Sequence, residues 1–245
     1  MTHQPSTPAN TAPALFLFDV DGTLIRRAGP QHRAALELAL LRVTGLRATT
    51  DGIPVQGMLD RDILAEMLRA AGASRQVSNA QMSSIVREAQ SLYRGMCPDL
   101  RAKVCPGVRR LLRCLLRRGL PAGLVTGNLS RIGWRKMERA GLRGYFGLGA
   151  FAEQGRTRAE LAARAAREAL KRRLIAPGVR VVLIGDHPND IAAARANGFL
   201  SVAVATGVVP LEQLRPHAPD ILIRDLREFD LEGVLCTVWP SPASR

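Results

Sequence analysis

Cysteine, lysine and aromatic residues are all scarce in this chain of 245 residues. The four cysteines, Cys97, Cys105, Cys114 and Cys236, show no C-x-x-C spacing and no paired histidine. That excludes a zinc site or a disulfide framework and reads as reduced thiols of a cytoplasmic protein. Aromatics make up 4% of the chain, which leaves few platforms on which single-stranded bases stack. The net charge of +14 would otherwise suggest a polyanion partner. Its arginines, however, lie along helical stretches such as 109–118, where they form the charged face of an amphipathic helix. Nucleic acid is therefore not an expected partner. Only Lys103, Lys136 and Lys171 are lysines; the skew toward arginine reads as coding bias, and its functional use as steering of small anions. No apolar run approaches the ~20 residues of a membrane helix. Met1 to Ala14 is polar and rich in Pro, Thr and Ala, the pattern of a disordered tail and not of a signal peptide. Residues 237–245 read as a second loose tail.

What is present begins at Leu15. The run Leu15-Phe16-Leu17-Phe18 ends in Asp19-Val20-Asp21-Gly22-Thr23. A short apolar run bounded by glycine reads as a buried parallel strand. Ligands of open α/β sheets bind beyond the carboxyl ends of such strands. In an extended segment Asp19 and Asp21 point the same way. Two carboxylates that close repel unless a cation or a shared proton separates them. The pair asks for a metal, a nucleophile and acid partnership, or both.

Two further strand ends carry polar residues. Ala122 to Val125 runs into Thr126-Gly127-Asn128, where glycine lets backbone N–H groups approach an oxyanion closely. Arg180 to Ile184 runs into Gly185-Asp186-His187-Pro188-Asn189-Asp190. Pro188 suits a first helical turn, and an acid such as Asp190 is favoured near a helix N-terminus. His187 is expected to cap that turn.

In these segments the chain resembles the haloacid dehalogenase-like (HAD) hydrolases, whose first motif is Asp-x-Asp-Gly-Thr. The resemblance implies that Asp19 is a nucleophile and Asp21 a general acid and base. It implies that Gly22, Thr126, Gly127 and Asn128 contact a phosphoryl group. It also implies Mg²⁺, held by Asp19, the backbone carbonyl of Asp21 and Asp186, with Asp190 either a ligand or an orienting group. Hard oxygen donors suit that ion. The family's third motif, a lysine before a helix, is missing. The segment reads Gly155-Arg156-Thr157-Arg158-Ala159-Glu160. Thr157 and Glu160 form a capping box that starts the helix. Arg156, just outside it, is the expected stand-in for the lysine, ahead of Arg158 in the first turn.

Helical patterns at Gln31–Thr44, 60–71 and 78–94 precede any second strand. From Val108 onward strands and helices alternate, which argues for a doubly wound parallel α/β sheet. The arrangement resembles a HAD core (15–25 and 103–236) with a helical cap (26–102) inserted after the first motif, hinged at 25–29 and 100–105. The segments Cys105-Pro106-Gly107-Val108 and 136–146 resemble the phosphoglycolate-phosphatase-like branch, as does Gly57-Met58-Leu59-Asp60. The expected activity is hydrolysis of a small phosphorylated metabolite by a monomer or homodimer. A phosphosugar mutase and a non-catalytic binding protein are the alternatives. Asp21 argues against a dehalogenase, which would not need it.

Overall fold

The computed structural model describes residues 12–26 and 29–236. The chain enters as β1 (Ala12–Phe18) and then runs through three helices, α1 (Gln31–Thr44), α2 (Asp60–Ala70) and α3 (Arg75–Met96). It continues as α4 (Val108–Arg117), β2 (Ala122–Val125), α5 (Ser130–Ala140), β3 (Leu148–Ala150), α6 (Arg158–Lys171) and β4 (Ile175–Gly185). It closes with α7 (Pro188–Ala196), β5 (Leu200–Val204), α8 (Leu211–Leu214), β6 (Ile221–Ile223) and α9 (Leu231–Cys236).

The six strands form one parallel sheet in the order β3-β2-β1-β4-β5-β6. Leu15, Phe16, Leu17 and Phe18 of β1 are fully buried; burying each such side chain contributes roughly 1.5–3 kcal/mol. The apolar run is a central strand, paired with β2 and β4 and buried on both faces. Phe18 stands level with Leu124 of β2 and with Ile184 of β4. The carboxyl ends of β1, β2 and β4 are therefore neighbours. Asp19, Thr126 and Asp186, far apart in sequence, meet at one edge of the sheet.

Three elements begin earlier than their sequence pattern predicts. β1 starts at Ala12, inside the expected tail, because Ala12 pairs with Ile175 and Ala14 with Arg180. β4 accordingly extends back to Ile175. The remainder of the expected N-terminal tail, and the C-terminal one, lie outside the described residues. α3 begins at Arg75, where the Ser74 side chain caps the Val77 N–H at 3.3 Å.

The helical insertion leaves and returns through adjacent backbone. Arg26 N donates to Lys103 O at 2.8 Å and Cys105 N to Leu24 O at 3.0 Å. Arg26, Lys103 and Cys105 lie in the stretches expected as hinges, Leu24 just before them, and residues 27–28 lie outside the described residues. α1 and α2 pack on α3, and α3 packs on α5 of the sheet unit. Among the described residues no helix is long and apolar enough to cross a membrane.

Candidate active site

Asp19 follows β1 directly, and its N–H donates to Ile184 O at 2.9 Å. Its side chain is buried, with Arg158 Nη1 donating to Oδ1 at 3.0 Å. The same Nη1 donates to Val125 O at 3.2 Å, and Arg158 Nε forms an ion pair with Asp190 Oδ1 at 3.2 Å. Carboxylate oxygens of Asp19, Asp186 and Asp190 all lie within 4.8 Å of one another. Three buried carboxylates thus share one guanidinium. Burial pushes the Asp19 carboxyl up to about 7 against the pull of Arg158, and Asp190 and Asp21 add to the rise. Burial, with Asp19 and Asp190, lifts Asp186 to about 8. Asp190 is raised too, mainly by burial, with Arg158 opposing. Such a cluster is short of positive charge.

Asp21 is one residue removed and differently surrounded. The strand has ended, so the shared orientation expected of alternate residues does not decide its direction. Its half-exposed carboxylate turns to Lys136 Nζ, which donates to Oδ2 at 2.6 Å, and to Asn128 Nδ2 at 2.8 Å. Burial alone would raise this carboxyl. Lys136 and His32, with the hydrogen bonds from Lys136 and Asn128, bring it below the ordinary carboxylate range.

Thr126, at the end of β2, accepts Asn128 Nδ2 at 2.6 Å and Asn128 N at 3.3 Å. Asn128 Oδ1 accepts Lys136 Nζ at 2.6 Å. The polar groups of Asn128 are thus engaged with Thr126, Asp21 and Lys136, and Asn128 braces the loop from within. Gly127 lies under the insertion: a Cβ there would collide with Met58 O, and Gly127 O accepts Asp60 N at 2.7 Å.

Gly22 stands differently from its expected phosphate-contacting role. Its N–H donates to Ile25 O at 2.7 Å, and its O accepts the Thr206 hydroxyl. Its φ of +93° suits glycine, and a Cβ at Gly22 or at Gly207 would occupy the place of the Asp186 carboxylate. Thr23 Oγ1 donates to Asp186 Oδ1 at 3.2 Å. The two glycines and Thr23 therefore hold Asp186 in position.

The expected order of the two arginines is reversed. Thr157 is the N-cap of α6 and accepts Glu160 N at 3.1 Å, as the capping pattern predicts. Glu160 reaches back to Arg156 N at 2.8 Å, and the Arg156 side chain is 91% exposed beside it. Arg158 points inward because it shares a face with Leu161, Ala162, Ala165 and Ala169, all buried. That spacing of four, three and four residues was visible in the sequence. At the start of α7, His187 caps as expected, with Nδ1 accepting Asn189 N at 3.2 Å. Asp190 Oδ2 accepts His187 N at 3.3 Å.

His32 and Asp60 were not read from the sequence as parts of the site. Lys136 had a signal: with Ile132 and Ala140 it repeats every four residues on the buried face of α5. A lone lysine on an apolar stripe is either expensive or paired.

The donor set fits a hard divalent cation. It consists of buried carboxylate oxygens, in excess of the positive charge beside them, with the Asp186 carboxylate packed against two glycines.

Among known proteins, the putative pyrophosphatase PpaX of Caldanaerobacter subterraneus is 42% identical over 53 residues, 22% of this chain and 24% of that protein. The chain thus spans about a quarter of that relative's length. The probable phosphatase IndB of Dickeya dadantii is 25% identical over 226 residues, covering 87% of this chain and 90% of that one. The crystal structure of a β-phosphoglucomutase from Clostridium difficile superposes with a TM-score of 0.65 at 18% identity, over 90% of this chain and 94% of that one. The haloacid dehalogenase-like hydrolase family model matches residues 13–198, from within β1 to just past α7 and so across all four aspartates of the site; this chain belongs to that family.

Proposed function

We propose that the chain is a cytoplasmic, magnesium-dependent phosphomonoesterase that forms an aspartyl-phosphate on Asp19. The observation that carries this reading is the contrast between two aspartates one residue apart. Asp19 is buried among carboxylates and held by Arg158, whereas Asp21 is held by an ammonium near the insertion. Paired carboxylates whose surroundings push their pKa values apart are suited to different roles.

Arg158 holds Asp19 Oδ1, so Oδ2 is the oxygen that attacks phosphorus. Arg158 faces Val125 O at the base of the phosphate loop and neutralises the nucleophile as negative charge gathers. Asp21 and Lys136 share a hydrogen bond at 2.6 Å. The pair holds a proton that can pass to the leaving alcohol, and the Asp21 carboxylate then takes one from the attacking water. Asp19 and Asp186, with the backbone carbonyl of Asp21, would hold the Mg²⁺. Asp190, already engaged by Arg158 and His187 N, orients the arginine. When bound, Mg²⁺ supplies positive charge against the phosphoryl oxygens. The insertion covers the phosphate loop through Met58 and Asp60, which supports a small phosphorylated metabolite as substrate.

The test is release of phosphate from a panel of phosphorylated metabolites. EDTA should abolish it and Mg²⁺ restore it, with Ca²⁺ a poor substitute because its bonds are longer and its ligands more numerous. Full turnover in EDTA would contradict the reading. A sugar phosphate converted to its isomer, with no phosphate freed, would make the protein a mutase.

A further inference from the structure

The Lys136 ammonium is 1% exposed and has three N–H groups to place. It finds three acceptors: Asp21 Oδ2 at 2.6 Å, Asn128 Oδ1 at 2.6 Å and His32 Nδ1 at 3.3 Å. Two belong to the sheet unit. The third comes from the first turn of α1, in the insertion. An ammonium has no lone pair to offer, so His32 Nδ1 must be the acceptor. The proton of the neutral ring then sits on Nε2, which lies 3.0 Å from Asp60 Oδ2.

Asp60 opens α2 and is itself buried. The same Oδ2 accepts Leu129 N at 2.8 Å, just after the phosphate loop, and Asp60 N donates to Gly127 O at 2.7 Å. The His32 ring stands edge-on to Tyr93 of α3, with centroids 5.5 Å apart. A continuous chain therefore runs from Asp60 through His32 and Lys136 to Asp21. It crosses from the insertion to the sheet unit at the Lys136–His32 contact and crosses back where Asp60 meets the loop.

We propose that His32 is a positioning residue for the proton chemistry of Asp21, acting by supplying the third acceptor of the Lys136 ammonium. The proposal rests on the phosphomonoesterase reading for the role of Asp21. With α1 docked, all three N–H groups of Lys136 are satisfied and the ammonium is fixed on Asp21 Oδ2. Without His32, one N–H of a buried ammonium has no partner, which is costly. The amine then turns to find one, and the Asp21 carboxyl loses its orientation. Docking of the insertion and readiness of the acid are thus joined through one imidazole.

The experiment compares His32→Leu with His32→Asn on an alkyl phosphate and an aryl phosphate, and reads the His32 ring nitrogens by ¹⁵N NMR in the full-length wild type. Leucine removes the acceptor. The Asn carboxamide oxygen can stand near the place of Nδ1. His32→Leu should lower kcat for the alkyl ester roughly 10-fold or more beyond its effect on the aryl ester, since an aryl leaving group hardly needs a proton. KM should change little, and His32→Asn should regain most of the loss. In the wild type, Nδ1 should be unprotonated and Nε2 protonated at neutral pH. Equal losses on the two esters, or an Asn variant as poor as the Leu variant, would overturn the proposal. So would a His32 ring protonated at Nδ1, because the Lys136 contact could not then exist. If the wild type freed no phosphate from any ester, the phosphatase reading would fail, and the ring's protonation would still decide whether the Lys136–His32 contact exists.

Discussion

Asp19 and Asp21 are separated by a single residue but belong to different electrostatic regions. Around Asp19, three buried carboxylates share one arginine, and burial lifts the Asp19 and Asp186 carboxyls to about 7 and about 8. Around Asp21, one carboxylate is served by an ammonium and an amide, and its pKa falls. The first region lacks positive charge and the second is balanced by its own side chains. The change takes place across Val20 alone. On the proposed reading, what would distinguish nucleophile from acid is not the residue type but which cation the rest of the fold brings to each.

The sharpest way to break this comparison is Asp19→Asn. It keeps the size of the side chain while removing the attacking oxygen and one charge of the crowded cluster. Phosphate release should fall to background while thermal stability holds or rises, because like-charge repulsion is relieved. Substantial turnover in a clean preparation would remove the covalent mechanism. Asp21→Ala should slow turnover by roughly 10²–10⁴-fold, the range for a lost general acid and base. The loss should shrink for aryl phosphates; equal loss on alkyl and aryl esters would mean that the two aspartates do not divide the labour as described.

Arg158→Ala removes the one cation of the crowded region. It should cost on the order of 2–4 kcal/mol in kcat/KM, as for a lost contact to developing charge in a closed site. Arg158→Lys should recover only part, since a point charge cannot span Asp19, Asp190 and Val125 O together.

The two regions should also separate by pH. Carboxyls raised in the folded state bind protons there that the unfolded chain has released. Stability of the metal-free protein should therefore fall as pH rises from the ordinary carboxylate range near 4 through about 7 to 8. Asp21 works the other way: its stabilising effect is present above the ordinary range and is lost toward acid. Because Mg²⁺ needs ionised carboxylates, its effect on Tm should be small near about pH 5 and grow to several degrees toward about pH 8. A Tm gain independent of pH would contradict the raised values. The smallest effect belongs to Arg156→Ala, which should change kcat/KM by less than roughly 1 kcal/mol, as exposed charges do.

The sheet was legible from the sequence because each functional strand is a short apolar run that stops at a polar residue, as at Phe18–Asp19, Val125–Thr126 and Gly185–Asp186. The helix starts were legible where a cap residue announces them, as at Thr157. The first residues of β1 were not, since Ala12 to Ala14 become strand only by pairing with Ile175 and Arg180, far along the chain. The capping pattern placed α6 correctly, yet the inward arginine was misjudged. Which first-turn side chain turns inward depends on the apolar stripe behind it, not on the cap. Lys136, His32 and Asp60 converge only when the insertion lies on the sheet unit, and no local pattern encodes that docking.

The scarcity of lysine has a practical consequence. Lys103 and Lys171 are exposed, while Lys136 is sealed between α1, α3, α5 and the loop bearing Asp21. An amine-reactive label should modify the first two at once. It reaches Lys136 only in molecules whose insertion has swung away, so the labelling rate of that amine becomes a clock for opening, readable peptide by peptide without any substrate.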